Sequence, residues 1–285
     1  MSRPTGNFLR ASILVLLGLG GCATPPAERS SSPSLNPAPR ANGGEAERAE
    51  SAIKRAQQLC LQNRHAEAEA EVRQVVARDK HNLGPENRAV LAGQSVAAVE
   101  LLHQTRYAEA EEQLRTVLQI QQRTLGAAHA DSLNTQRSLA LALRLHRKNA
   151  EAEVQYRAIL KILEPIRGAE HPDILIAHWN IAKTLLGQSK HADAEREYRA
   201  VSEPMQRVLG TDHRDTLFML NEFAWCLGKL NKMEEARELS WRAVTGARRR
   251  WGLAHTNTKR FEQIQKQLSQ NKMLPVAGPE VEEAK

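Results

Sequence analysis

A glycine recurs at a constant spacing of 42 residues along most of this 285-residue chain. An ordinary globular sequence has no reason to repeat at a fixed period, whereas stacked supersecondary units do, because each unit buries its apolar face on the next. Two alanine columns and one leucine column keep the same period. The four columns are Gly84, Gly126, Gly168, Gly210 and Gly252; Ala56, Ala98, Ala140, Ala182 and Ala224; Leu59, Leu101, Leu143, Leu185 and Leu227; and Ala68, Ala110, Ala152, Ala194 and Ala236. Residues 46–270 are therefore predicted to form a repeat array.

One period contains two runs of apolar residues at helical spacing. In residues 172–211 the first run ends at Gly187 and the second begins at Ala192. Gly210 follows the second run and suits the left-handed position just after a helix. No segment shows the alternation of a β-strand bounded by hairpin signals, which excludes a propeller of similar period. Each unit is therefore predicted to be a pair of antiparallel helices, and the fold class is all-α.

The spacing of small residues and leucine resembles that of the tetratricopeptide repeat. Ala182 is followed by Leu185 and, nine residues later, by Ala194. The 42-residue period and the run Glu170-His171-Pro172-Asp173 are similar to the long variant found in kinesin light chains. The resemblance implies a right-handed α-solenoid of about five helix-turn-helix units. It departs at Arg55 in the first unit, at Asn87, and at Pro204, which is predicted to kink a second helix.

The register of the columns divides the array into units and a cap. The predicted units are 46–86, 87–128, 129–170, 171–212 and 213–254, with a capping helix at 255–270. In the cap, Lys266 and Ser269 occupy the alanine and leucine columns, while Phe261, Ile264 and Leu268 still form one apolar face. Such a helix covers the fifth unit and offers its other side to water. Residues 271–285 are predicted to be a disordered tail.

The first 21 residues resemble the signal peptide of a bacterial lipoprotein. Arg3 and Arg10 precede a short apolar stretch, and Leu19-Gly20-Gly21-Cys22 resembles a lipobox. The resemblance implies cleavage before Cys22 and lipidation of its thiol. Ala23, rather than an aspartate, follows the cysteine, which favours the outer membrane. An ordinary secretory signal with a chance cysteine and a retained membrane anchor are the alternatives.

Residues 22–45 are predicted to be a lipidated tether rich in proline and serine. Loss of Arg3 and Arg10 with the signal leaves 38 basic and 33 acidic residues, a net charge of +5. Nucleic-acid binding would need a more concentrated basic stripe, so no nucleic-acid partner is predicted. Residues 248–250 are three arginines in a row, which indicate either a solvated helix end or a contact with anionic lipid.

The candidate chemical groups of the array are explained by the repeat. His129, His171, His213 and His255 keep the 42-residue period, and one histidine per unit cannot close a single metal site. A capping role is predicted for them. Carboxylate pairs such as Glu109 with Glu111 and Glu151 with Glu153 recur at helix starts and are interpreted as solvated faces. The sequence contains no recognised catalytic or phosphate-binding motif, so neither catalysis, a metal nor a cofactor is predicted.

The resemblance implies that first helices line a concave surface, where positions that vary between units carry function. Aromatic and basic side chains at these positions are typical of partner-binding surfaces. The predicted groove residues are Asn134, Arg137, Arg144, Trp179, Lys183, Phe218, Asn221 and Trp225. The alternative is that Trp179 and Trp225 pack between neighbouring units.

These observations favour a scaffold or adaptor that binds a protein or peptide partner in the bacterial cell envelope. The membrane would be reached through lipidated Cys22, and the array would face the periplasm. One alternative is a structural lipoprotein that self-associates into homo-oligomers. Another is a surface for envelope polysaccharide or lipid, formed by residues 248–250. An enzyme is the least favoured class.

Overall fold

A computed structural model describes Ser51, residues 55–56 and 58–59, Gln62, and residues 64–270. The predicted signal peptide, the tether with Cys22, and the tail all lie outside the described residues. Ten complete helices lie within residues 64–270, and no strand occurs among the described residues. They are α1 (His65–Leu83), α2 (Arg88–His103), α3 (Tyr107–Thr124), α4 (Ala130–Leu145), α5 (Asn149–Arg167), α6 (Pro172–Gly187), α7 (His191–Val208), α8 (Arg214–Lys229), α9 (Met233–Trp251) and α10 (Thr256–Ser269). The predicted all-α repeat fold is confirmed.

The chain falls into two compact units that divide between Ala142 and Leu143. In the first unit, α2 packs against both α1 and α3. In the second unit, consecutive helices from α5 to α10 pack in pairs, and α8 also contacts α10. Within each unit, neighbouring helices in the chain are therefore neighbours in space, as expected of helix-turn-helix repeats.

Both alanine columns are completely buried. Every member from Ala56 to Ala224 and from Ala68 to Ala236 has no accessible surface. The small methyl group of alanine lets the helices pack closely at these positions. Members of the leucine column from Leu101 to Leu227 are buried as well. The columns seen in the sequence are therefore the contact surfaces of the repeat.

The glycine column ends each second helix with a positive φ, between 80° and 102°. At Gly84, Gly168 and Gly252 the ψ angle is 158° to 168°. This is not the left-handed helical conformation that the sequence predicted, but an extended conformation that only glycine adopts readily. A Cβ atom at any of the five glycines would meet nothing within 4 Å. Backbone conformation, and not lack of space, therefore requires glycine here.

The histidine column caps the first helices. His171 and His213 each accept a hydrogen bond through Nδ1 from the backbone N–H two residues later, at 3.2 and 3.3 Å. His129 and His255 do the same at 3.1 Å. Asn87 replaces the histidine in the second repeat, and its side chain accepts from Ala89 N at 2.9 Å. The predicted capping role is confirmed, and the departure at Asn87 preserves it.

Two departures from the repeat are accommodated locally. Arg55 is exposed and pairs with Glu71 at 2.7 Å. Helix α7 continues through Pro204 to Val208, and α5 likewise contains Pro165 in its last turn. Each proline removes one backbone donor, and both lie near the C-terminal end of a second helix. The kink predicted at Pro204 stays a prediction.

A second periodic column, which the sequence interpretation did not identify, lies in the turn from first to second helix. Thr105, Arg147, Ser189 and Asn231 all have φ between 59° and 65°. The following residue donates its backbone N–H to the column leucine, as Arg106 N does to Leu101 O at 2.9 Å. This bond closes the end of each first helix, as in a Schellman motif. The turn therefore demands a left-handed residue in each of these four repeats.

Thr105→Gly is expected to raise the free energy of unfolding by about 0.5–1 kcal/mol. A β-branched residue is strained at positive φ, and glycine removes that strain at the cost of a more flexible unfolded chain. Asn231→Gly is the control, because asparagine already tolerates this conformation. Urea denaturation followed by circular dichroism measures both changes, and equal effects at the two positions would contradict the explanation.

Candidate functional site

The predicted groove residues lie on first helices, but six of them are buried. Arg144, Trp179, Lys183, Phe218, Asn221 and Trp225 each expose less than a tenth of their surface. Asn134 and Arg137, on helix α4 of the third repeat, are half-buried. Large exposed aromatic surfaces at these positions, which the sequence suggested, are therefore absent. Their assignment to a partner-binding groove stays a prediction.

Trp179 and Lys183 converge on a buried carboxylate that the sequence interpretation missed. Trp179 Nε1 donates to Glu222 Oε2 at 2.7 Å, and Tyr198 OH donates to the same oxygen at 3.4 Å. Lys183 Nζ lies 3.5 Å from Glu222 Oε1 and 4.9 Å from the centre of the Trp179 ring. We call Trp179, Lys183, Tyr198 and Glu222 the Glu222 cluster. Because Trp179 lies on α6 and Glu222 on α8, the cluster joins the fourth repeat to the fifth.

Beside this cluster, α8 carries buried polar atoms that have no partner. Asn221 Oδ1 and Trp225 Nε1 lie one helical turn apart, and neither forms a hydrogen bond with the described residues. The ring of His191 meets that of Trp225 edge-on at 6.2 Å, and His191 Nδ1 also lacks a partner there. Lys229 Nζ lies 5.0 Å from the centre of the Trp225 ring. We call Asn221, Trp225, His191 and Lys229 the α8 polar patch.

The charge of the patch is set by lysine and not by histidine. Burial lowers the pKa of His191, and the positive charge of Lys229 lowers it further. His191 is therefore neutral at physiological pH, so its ring can accept a hydrogen bond. The patch combines a donor at Trp225, acceptors at Asn221 and His191, and the cation of Lys229.

Phe218 has the contacts of a core residue. Its ring meets Phe261 of the capping helix edge-on at 5.2 Å and lies 5.9 Å from Trp251. The guanidinium of Arg214 lies 5.2 Å from the centre of the Phe218 ring. These contacts pack the fifth repeat against α10, as predicted for a cap.

The solvated-face interpretation is wrong for Glu111 and Glu153. Glu111 is buried and Glu153 is largely covered, whereas Glu109 and Glu151 are exposed. Each inner carboxylate pairs with an arginine four residues later, and Glu69, Glu153 and Glu195 also contact the next repeat. We call this series the carboxylate ladder. The repeated pairs are Glu69–Arg73, Glu111–Arg115, Glu153–Arg157 and Glu195–Arg199. Both columns keep the 42-residue period, so the sequence already contained the signal.

The links to the next repeat come from the turn between the two helices of that repeat. Gln104 donates to Glu69 at 2.5 Å, Gln188 donates to Glu153 at 2.7 Å, and Lys232 lies 2.6 Å from Glu195. In the fifth repeat this column holds Arg237, which donates to Leu268 O at 3.2 Å. The ladder therefore ends by capping the C-terminus of α10, where a cation is favourable.

Acid is expected to weaken these links. Burial raises the pKa of Glu195, but hydrogen bonds from Lys232 and Arg199 outweigh it and hold the pKa below its ordinary value of 4.5. A carboxyl whose pKa is lower in the folded state stabilises the fold above the unfolded pKa, and this stability is lost as pH falls through the folded pKa. Wild-type protein should lose stability more steeply below pH 4.5 than Glu195→Gln. Denaturation at a series of pH values measures the free energy of unfolding of both proteins. If the two free energies fall in parallel with pH, the expectation is contradicted.

The three consecutive arginines have intramolecular partners. Arg248 pairs with Glu262 at 2.7 Å, and Arg249 pairs with Asp212 at 2.6 Å. Arg250 donates to the carbonyl of Asp212 at 3.1 Å. These contacts hold the turn before α8 and the capping helix against α9. They do not favour a dedicated lipid-binding surface.

Two surface furrows lie at equivalent positions of the repeat. One lies between α1 and α3 and the other between α7 and α9, each between successive second helices. Arg73 and Val76 line the first furrow at the positions that Arg199 and Ser202 occupy in the second. A furrow that recurs at equivalent positions is an ordinary consequence of stacking, and polar side chains line both. None of the helices in the described part of the chain is long and apolar enough to cross a membrane.

Comparison with known proteins agrees with this architecture. A family model of the tetratricopeptide repeat matches residues 87–164 and 173–249, more than half of the chain. A search of curated proteins finds no match. The chain belongs to the tetratricopeptide repeat family, with a repeat period of 42 residues.

Solved structures show the same fold. One contains nearly identical TPR-like repeats from a Podosopora anserina protein described as a kinesin light chain, at 24% identity and a TM-score of 0.62; the match covers 72% of this chain and 98% of that one. Another is BtubC (BKLC) from P. vanneervenii, at 16% identity and a TM-score of 0.57, covering 81% and 85%. Tetratricopeptide arrays are non-catalytic scaffolds that bind protein partners, and this chain has that architecture.

Proposed function

We propose that the protein is a lipid-anchored scaffold of the bacterial cell envelope that binds a polypeptide through the α8 polar patch. The scaffold part of the proposal rests on the repeat architecture. The anchor rests on the lipobox-like run that ends at Cys22 and on the proline-rich residues that follow. Ala23 after the cysteine favours the outer membrane, with the array in the periplasm.

The observation that carries the binding site is the pair of unpartnered atoms on α8. A buried donor and a buried acceptor without partners are costly, and a ligand that satisfies both recovers that cost. Both atoms have almost no accessible surface, so a bound peptide must displace the side chains that cover them. Its backbone carbonyl then accepts from Trp225 Nε1, and its backbone N–H donates to Asn221 Oδ1. Lys229 adds a cation beside them, so a segment with a carboxylate is favoured. We propose a binding role for the patch and no catalytic role.

Trp179 is a poor probe of this site because it holds Glu222. Trp225→Phe is sharper, since it removes the indole N–H and keeps an aromatic ring. A photo-crosslinking residue in place of Ala192, the exposed neighbour of His191, should capture a partner in intact cells and leaves Lys229 intact. Trp225→Phe or Asn221→Ala should reduce that adduct severalfold. Trp241→Phe is the control, because Trp241 is exposed on α9. An adduct that survives both patch variants would refute the site, and an adduct between two copies of this chain would identify self-association instead.

The membrane anchor is tested separately. Cys22→Ser should abolish incorporation of radiolabelled palmitate and release the protein from the membrane fraction. Several acyl chains, each contributing about 0.8 kcal/mol per buried CH₂, hold a protein firmly, so the loss should be nearly complete. Cys226→Ser is the control, because Cys226 is buried within α8. Equal labelling of both variants would contradict lipidation at Cys22.

A further inference from the structure

Two histidines and one glutamate meet where α1 begins and α2 ends. His65 is the first residue of α1, and Glu100 and His103 lie in the last turn of α2. One nitrogen from each ring and one oxygen of the carboxylate all lie within 4.8 Å of one another. Glu100 and His103 are three residues apart, so they share one face of the helix. Among the described residues, no other group of histidine, cysteine and carboxylate side chains converges in this way.

Glu100 is less well compensated than the other buried carboxylates. It is 1% exposed, and in the described structure its carboxylate has one partner, His65 Nδ1 at 2.9 Å. Glu222 has three partners, and Glu195 has two cationic ones. A buried carboxylate is stable only when it is paired or binds a metal. The single contact with a histidine leaves room for a further cation.

None of the three positions holds one residue type throughout the repeats. The equivalents of Glu100 in the later units are Ala142, Thr184 and Cys226; those of His65 are Tyr107, Asn149, His191 and Met233; and those of His103 are Leu145, Gly187 and Lys229. Packing of the array therefore does not require histidine or glutamate at these positions. The meeting at one point of three potential ligands that the packing does not require indicates a shared role.

We propose that His65, Glu100 and His103 bind a zinc ion. Two imidazole nitrogens and one carboxylate oxygen are a ligand set that Zn²⁺ commonly takes in proteins. Both histidines are half-buried, which leaves the fourth position open to water or another donor. Their rings are now stacked, with centres 4.0 Å apart and planes 7° apart. One ring must rotate so that both lone pairs point at the ion.

The equivalent site between the fourth and fifth repeats has the wrong chemistry for an ion. His191 and Cys226 occupy the places of His65 and Glu100, but Lys229 occupies the place of His103. Burial raises the pKa of the Cys226 thiol to about 12, so it stays protonated. A cation in place of a ligand and a protonated thiol both oppose metal binding. The proposed site is therefore specific to the first pair of described helices.

Zinc at this position would clip the start of α1 to the end of α2. The first repeat departs most from the family pattern, since the family match begins only at residue 87. A ligand that binds the folded state alone stabilises it in proportion to the logarithm of its concentration over Kd. The ion would therefore strengthen the N-terminal part of the array.

The test uses the full chain in detergent, without a histidine tag, stripped of metal by a chelator and with its thiols alkylated. Calorimetric titration with Zn²⁺ should give one ion per chain, and Zn²⁺ should raise Tm. His103→Ala and Glu100→Gln should each weaken Kd by more than about tenfold, because even an outer-shell partner contributes that much to metal affinity. Circular dichroism verifies that the variants keep their helices.

His178→Ala is the matched control. His178 Nδ1 lies 2.7 Å from Glu197 Oε2, which reproduces the histidine–glutamate pair without the second histidine. Its Kd for Zn²⁺ should equal that of the wild type. The proposal is overturned if the wild type binds no zinc at equimolar ratio, if folded His103→Ala binds as tightly as the wild type, or if His178→Ala weakens binding equally.

Discussion

Glu222→Gln is expected to lower the free energy of unfolding by about 3–5 kcal/mol, the usual effect of removing one partner from a buried ion pair. Glutamine still accepts a hydrogen bond from Trp179, so the loss reports on charge. The side chains of Lys183 and Glu222 are 7% and 2% exposed, which leaves little water to replace the missing carboxylate. Equilibrium denaturation in urea, followed by tryptophan fluorescence and circular dichroism, measures the change.

Two further variants make the Glu222 prediction specific. Glu234→Gln should change stability by less than about 0.5 kcal/mol, because the Glu234 side chain is 99% exposed. Adding Lys183→Met to Glu222→Gln should recover part of the loss, since an apolar residue of similar length replaces the buried cation. If the double variant is no more stable than Glu222→Gln, the pair with Lys183 is not the cause.

Ala194→Leu should destabilise the protein by about 1–3 kcal/mol through overpacking. Ala194 is fully buried on α7, in a column that is alanine in all five units. Three added carbon atoms must displace the helices that pack against α7, and close-packed interiors resist such displacement. Thermal and urea denaturation measure the loss.

Ala200→Leu on the same helix is the control for overpacking. Ala200 is exposed, so a leucine there meets water and keeps good helix propensity. Its effect on stability should lie within about 0.5 kcal/mol. Equal losses at the two positions would show that helix propensity, and not packing, governs the response.

The position of each helix end could be predicted from single residues, but backbone detail could not. Gly210 and His213 locate a turn because one frees the backbone and the other caps the next helix. The ψ angle at Gly84 depends on how the chain enters the next helix, which no residue type specifies. Thr105 and Asn231 share a positive φ although their chemistry differs. A periodic conformation carried by different residue types is invisible to a search for identical letters.

The candidate site was predicted less well than the fold. Variable positions on first helices led to Trp179, Lys183, Asn221 and Trp225, yet the sequence did not indicate that Glu222 joins two of them. Partners such as Trp179 and Glu222 lie 43 residues apart, and which rotamers meet is decided only by packing. The zinc ligands were missed for the same reason, because His65 and Glu100 are distant in the chain.

The 42-residue period determined by itself that the chain is an all-α repeat array, where its helices pair and which alanines are buried. Those properties follow from local helix periodicity and from contacts that recur identically in every unit. Burial of the tryptophans and the meeting of His65, Glu100 and His103 were decided only by the tertiary structure. They depend on which side chains from different helices come within a few ångströms, and sequence spacing alone does not specify that distance.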